Sequence, residues 1–393
     1  MVVEPSKPRP PPLRLMRRRL LVGVIFAAVF TFAQDRATRF SPVPLHLEHS
    51  LADWRTALLS VTPPRSHPDI AVVLVGEEEL KAEVYTSPVD RRVLARIVRR
   101  LDELGADAIA LDLVFYRPTE PDKDQELVEA LRTARSTVIL AAGDERVALE
   151  PEERAFQAKF IASTGRQPGY ATVRADRDDV VRRRLGPVEK GAFQSSFPAL
   201  IAAQRGKLDP NPGGRIAWLR TAADGGPAFF EIPARDILDN DIGAIIGQTY
   251  IKGRLVLVGG NFPDRDLHRT PLFRRDSGKG SAKVHGVYLH AHVAAQLLDQ
   301  RNITEAPVWL VVFLVALLGH LLGWYFCRRG FNWIIGGGST VVLIVMDLVI
   351  FWRFSYVLPY QASCAAWLVG AFGGYFLGWV LAGRPVAESR SLQ

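Results

Sequence analysis

Histidines and carboxylates gather in one late stretch of this 393-residue chain. His268, His285, His290 and His292 stand near Asp264 and Asp266. Imidazole and carboxylate groups ligate metals and move protons. Their spacing here fits no compact ligand motif. On a helix opening near Val287, His290 and His292 point roughly 200° apart, so one ion does not take both. Further carboxylates, Glu77, Glu78, Asp112 and Asp144, each follow a short apolar run. Another apolar run closes on Gly259-Gly260-Asn261. No third glycine opens a helix there, so this is not a dinucleotide fingerprint, and no Gly-Lys-Ser/Thr phosphate loop occurs. A Gly-x-Ser-x-Gly nucleophile elbow is missing too, although composition alone does not exclude a Ser-His-Asp triad. The chemistry expected is binding without catalysis, metal or cofactor.

The runs before these residues supply the frame. Ile70–Val75 is compact and β-branched, as in a strand buried on both faces. A helix opening at Pro88 and running to Leu104 puts Val93, Leu94, Ile97, Val98 and Leu101 on one side and arginines on the other, with Gly105 as its stop. Ala108–Phe115 reads as a strand, Asp122–Ala134 as a helix, and Thr137–Ala142 as a strand. This alternation implies a mostly parallel α/β sheet. From Gly143 to Gly247 the pattern weakens. A strand and turn is expected at Ala171–Val181, strands at Arg215–Leu219 and Phe229–Ile232, and helices at Ser195–Gln204 and after Pro233. Leu255–Val258 returns to the buried-strand type, and Val287–Leu298 is helical. In open α/β sheets ligands sit beyond the carboxyl ends of the strands. The candidate ligand-binding set is therefore Glu77, Asp112, Gly259, Gly260, Asp266, Thr270 and His290. The alternative is that Asp112 and His290 only brace loops.

Three long apolar runs, 307–327, 331–351 and 358–382, each have the roughly 20 residues that cross a bilayer as a helix. Arg17-Arg18-Arg19 abuts a shorter run, Leu20–Ala33, of about 21 Å as a helix. The preferred reading is a membrane anchor over 20–34 with its arginines at the cytoplasmic face; the other is a signal peptide. Both put residues 35–306 outside the cytoplasm. Leu47, Leu51, Trp54 and Leu58 give an entry helix an apolar face. Gly319 with Gly323, and Gly370, Gly374 and Gly378, recur every four residues, a spacing that lets helix backbones approach closely. These glycines pack the chain's own spans or dock a second copy or partner. His320 and Asp347 are ionisable residues inside spans, but about 12 Å apart in depth, and too isolated for a transport path.

The formal charge is +8. Scattered arginines, among them Arg91, Arg92 and Arg182 to Arg184, read as solvated faces, with no aromatics interleaved to stack bases, so nucleic acid is not an expected partner. Both cysteines, Cys327 and Cys364, lie in the apolar block, which leaves the polar part without a disulfide.

The order of segments resembles the second type of CHASE domain, the extracellular sensory domain associated with cyclases and histidine kinases. The resemblance rests on Asp69 to Leu80, on Gly105 to Phe115, on Ile251 to Gly259, on Asp266 with Thr270-Pro271, and on His285 to His292. It covers roughly Leu45 to Gln300. Glu77 and Glu78 stand where the family usually has an aspartate. The resemblance implies one N-terminal span, an outside sensory domain and three C-terminal spans, usually followed by a catalytic output module. Only Gly383–Gln393 follows the last run, so any output is expected on another chain. Arg328-Arg329 against the lone Arg353 places both termini, 1–19 and 383–393, in the cytoplasm of a bacterial inner-membrane protein. The expected function is sensing, with relay to a separate effector and with homo-oligomers allowed. The alternative is a scaffold or assembly subunit whose outside domain binds another protein.

Overall fold

The computed structural model describes residues 12–40, 43–80, 89–272, 283–327 and 333–381. Pro88, the Arg328-Arg329 loop and the 383–393 tail lie outside them. The chain divides into two compact units, Asp53–Ile303, and Met1–Ala52 with Thr304–Gln393.

The unit Asp53–Ile303 is built on one six-stranded sheet. Its strands are β1 (Ile70–Val75), β2 (Ala108–Leu111), β3 (Thr137–Ala142), β4 (Gln167–Tyr170), β5 (Phe230–Pro233) and β6 (Leu255–Gly260). All neighbouring pairs are parallel, in the order β4-β3-β2-β6-β1-β5. The mostly parallel sheet read from the sequence is present. Its centre is a surprise, because β6 inserts between β1 and β2. Successive strand residues face opposite sides, and the core divides accordingly. Ala71, Val73, Val75, Ile109, Leu111, Val256 and Val258 join one cluster, with α4 (Arg91–Glu103), α5 (Pro121–Thr133) and α6 (Pro151–Thr164). Ile70, Val72, Ala108, Ala110, Leu255 and Leu257 join the other, with α7 (Phe197–Ala203) and α10 (Gly286–Leu298).

Several expectations are corrected here. Ala171–Val181 and Arg215–Leu219 form no strands, only isolated bridges such as Val61 with Leu219. The Arg215–Leu219 run instead covers α10: Ile216 and Trp218 pack on Leu289, Val293 and Leu297. The strand β2 stops at Leu111, short of the expected Phe115. The weak region holds α6 and β4, which hydropathy alone does not reveal. The local signals of α6 are a capping box between Glu150 and Glu153, Pro151 in the first turn, and Gly165 in the left-handed conformation (φ 65°) as its stop.

The arginine faces are only partly solvated. Arg91 is 2% exposed, lies 4.4 Å over the Phe115 ring and bonds Asp124 at 3.2 Å. Arg182 is 3% exposed, with its guanidinium on Asp53, Asp176 and Asp178. Arg184 bonds Asp209. The pull of Asp53 toward Arg182 also turns over the entry helix, α2 (Val43–Leu59). Asp53, Thr56 and Ala57 are buried, while Trp54 and Leu58 of the expected apolar face are exposed.

In the other unit, α1 (Pro12–Phe40) runs well past the apolar stretch that the sequence marks, because Gln34, Asp35 and Arg36 continue the helix. Among the described residues, three helices are long and apolar enough to cross a membrane: Met16–Ala37 within α1, Val308–Phe326 (α11) and Tyr360–Val380 within α13 (Tyr360–Leu381). Between the last two lies the 22-residue helix α12 (Trp333–Phe354). The glycines sit at the α11–α13 contact. A Cβ on Gly319 would fall 2.7 Å from the Trp367 carbonyl oxygen, and one on Gly370 would fall 2.5 Å from that of Ala316. Gly323 lies against the Ala371 carbonyl and Gly374 against that of His320. Gly378 lies on the Cys327 side chain. Neither cysteine is in a disulfide.

Candidate functional site

Three pieces of backbone converge beyond the carboxyl end of β2. The Asp112 amide donates to the Val258 carbonyl at 2.8 Å, which extends the β2–β6 pairing by one residue and fixes where the carboxyl group stands. A short antiparallel hairpin, β7 (Leu267–Arg269) with β8 (Lys283–His285), brings Asp266 back to the start of α10. His290 lies four residues into that helix, and helical side chains lean toward the N-terminus. Its Nε2 stands 3.5 Å from Oδ1 of Asp112.

Asp266 is held in an uncommon conformation, φ 53°. Its Oδ2 accepts from the Gly286 amide at 3.0 Å, and its Oδ1 lies 2.8 Å from His268 Nε2. The carboxylate thus sits on the first amide of α10, where the helix dipole favours negative charge. Burial pushes the Asp112 carboxyl well above the usual range, and the charge of Asp266 adds to the effect. Burial lowers the His290 imidazole to about 4, against an opposing pull from Asp266. Burial therefore biases both groups toward their uncharged forms, a carboxylic acid facing a neutral imidazole. Their separation is at the outer limit of a hydrogen bond. A group arriving between them finds a carboxyl group that burial biases toward its O–H form and one ring that donates or accepts.

The structure brings Asp112, Asp266 and His290 together and adds His268, which its spacing in sequence did not recommend. The β7–β8 pairing recruits it, and a hairpin around residues outside the described part leaves little sequence signal. His292, two residues beyond His290, turns elsewhere as the helical angle requires. It stacks edge-on to Trp218 at 5.0 Å and Phe229 at 4.9 Å and accepts from the Leu219 amide. Thr270 is buried just past β7. Glu77 and Glu78 are exposed and line a separate cavity with Pro233, Arg235 and Asn261, over the ends of β1, β5 and β6. Gly259 has a packing role: a Cβ there would stand 2.5 Å from the Val287 Cβ. Gly260 lies against the Phe262 ring. Asp144 is fully engaged by Arg146 and Thr172, which outweigh its burial and keep it ionised at lower pH than usual.

The family model for the CHASE2 domain matches residues 24–325. The chain belongs to the CHASE2 family. CHASE2 is a sensory domain placed outside the cytoplasm, and the apolar helices of this chain suit a membrane protein. The match runs beyond the resembling segments at both ends, from within α1 to within α11. Every residue of the Asp112–His290–Asp266 cluster lies inside it. Neither the curated proteins nor the solved structures gave a match.

Proposed function

We propose that this CHASE2 protein is a transmembrane sensor whose outside domain binds a ligand at Asp112, Asp266 and His290 and passes the change to a separate effector chain. The observation that carries the reading is the Asp112–His290 pair, in a domain of the sensory CHASE2 family. Two nearly buried polar groups face each other without a good mutual hydrogen bond, an arrangement that gains from a third group between them. His290 lies on α10, and in sequence α10 precedes the α11 span by only nine residues, Asp299 to Pro307. Binding that favours one placement of α10 shifts the populations of whatever the spans contact. No step requires catalysis by this chain.

In this reading α1 is a retained anchor, which the packing of Ala27 among Val312, Ala316 and Ala366 supports. With α1, α11, α12 and α13 all crossing, both termini are cytoplasmic and the sheet unit faces the periplasm of an inner-membrane protein. Alkaline phosphatase fused after Arg301 is expected to be active, and the same fusion after Gly383 silent; the reverse pattern would overturn the topology. For the site, the test is a solute screen by thermal shift on the detergent-purified chain. A stabilising solute should lose its effect in Asp112→Ala while the variant's own melting stays cooperative. Co-purification of a cytoplasmic protein supports relay, whereas recovery of a periplasmic protein alone favours the scaffold alternative.

A further inference from the structure

A second cavity lies within the helical unit. It is about 680 Å³, inside the roughly 300–1,000 Å³ range of ligand pockets. Its walls come from the C-terminal part of α1 and the N-terminal ends of α11 and α13. The reason for the gap is visible in the packing. Ala27, Val312, Ala316 and Ala366 close one level of the bundle. Beyond it, α1 presents Ala33 and Ala37, about two to three turns past Ala27, and α13 presents Ala362 and Ala365, within about one turn of Ala366, so short side chains line the space between the helices. The lining is mostly apolar, with Phe30 and Trp309 among the walls. Its polar members are Thr31, Gln34 and Asp35 on α1 and Gln361 on α13. The Gln34 amide oxygen is buried and has no hydrogen-bond partner among the described residues. A buried acceptor left in this state destabilises the fold unless a donor reaches it.

We infer that this cavity holds a phospholipid with a primary-ammonium head group, its acyl chain between the alanines and its ammonium at Gln34 and Asp35. The walls belong to helices of spanning length, so the occupant enters from the bilayer. The Gln34 oxygen requires a donor, and Asp35 makes a cationic donor better than a neutral one and an anionic head worse. A trimethylammonium head carries the charge but no N–H, and so cannot satisfy Gln34. The site is independent of the Asp112 cluster, so the two proposals stand or fall separately.

The test is native mass spectrometry of the full chain after equilibration with equal phosphatidylethanolamine and phosphatidylcholine. The expected result is one tightly retained lipid, with the ethanolamine form favoured about fivefold, the worth of one net hydrogen bond. Gln34→Leu should keep a lipid but equalise the two forms. Ala362→Phe should displace it, and Ala365→Leu serves the same purpose if the first variant does not fold. Equal retention of both lipids by the unaltered chain would overturn the inference. Retention undiminished in both filling variants, the signature of boundary lipid only, would also overturn it.

Discussion

Nε2 of His290 stands 3.5 Å from Oδ1 of Asp112, one group from a helix and the other from the end of a strand 178 positions earlier in the chain. Burial disfavours the charged form of each, so the pair is a point where the fold gives up stability to keep two polar groups facing each other. Asp112→Asn keeps the shape and removes the acid. The folded carboxyl titrates above its unfolded value, so the native state holds the proton longer, and stability falls as pH rises through that interval. The asparagine variant is expected to equal the parent near pH 4 and to melt higher at pH 8. Thermal unfolding of the purified chain at the two pH values checks this; a variant less stable at pH 8 would show that the carboxyl is ionised and stabilising.

Acid should unfold the sheet unit through its buried imidazoles. His290 is lowered to about 4 and His292 to about 3, in each case first by burial. Both bind protons in the unfolded chain below about pH 6.5 and resist them when folded. Their contribution is complete above that value and is lost as pH falls toward 4 and then 3. Two such groups give a slope approaching about 2.7 kcal/mol per pH unit. Substituting His292→Phe, between Trp218 and Phe229, is expected to halve the slope between pH 6 and 4.5 in chemical denaturation; an unchanged slope would mean that the ring is already charged in the fold.

The β6–α10 contact needs a residue without a side chain. Gly259→Ala puts a methyl group 2.5 Å from the Val287 Cβ and forces α10 off the sheet. Overpacking of this kind costs about 1–3 kcal/mol. The double variant Gly259→Ala with Val287→Ala should recover most of the loss in a denaturant series, which a merely local backbone effect would not do.

The spans depend on the same device. Gly323 lies against the Ala371 carbonyl, and a β-branched side chain there cannot be accommodated without separating α11 from α13. Gly323→Val is expected to lower the melting temperature in detergent. The comparable change at Gly338, around which a Cβ meets nothing, should have little effect.

Asp53 and Arg182 are 1% and 3% exposed and bond at 2.8 Å. Asp53→Ala leaves Arg182 with Asp176 and Asp178 but strips its most buried partner. A loss of about 3 kcal/mol is expected, because a buried charge is left short of compensation. Asp53→Asn, which still accepts one bond, should lose less; equal losses would point to packing and not charge.

How much of this was legible beforehand varies with the element. Ile70–Val75 and Thr137–Ala142 are strands over the residues their composition marks, because continuous β-branched and apolar runs of that length bury both faces of a strand and little else. The α4 helix begins three residues later than its proline suggests, at the Asp90 cap, and buries all five of its expected apolar residues. The α6 helix was hidden because its apolar residues do not fall on one stripe, and only its caps betray it. The entry helix departs from its local pattern for a physical reason. Leu51, Trp54 and Leu58 have the spacing of a buried face, yet Asp53 is what the fold buries, since a charged partner 129 positions away outweighs the local pattern.

Local composition determined a parallel α/β unit, apolar helices of membrane length, glycines spaced for close helix contact, and the residue types of a binding site, since each follows from interactions among near neighbours in the chain. Tertiary structure alone decided that β6 lies between β1 and β2, that Asp112 and Asp266 meet His290 while Glu77 opens on another cavity, and that Arg91 and Arg182 are core residues. Those outcomes depend on which distant segments pair, and pairing energy is shared across the whole sheet and is carried by no single stretch of sequence.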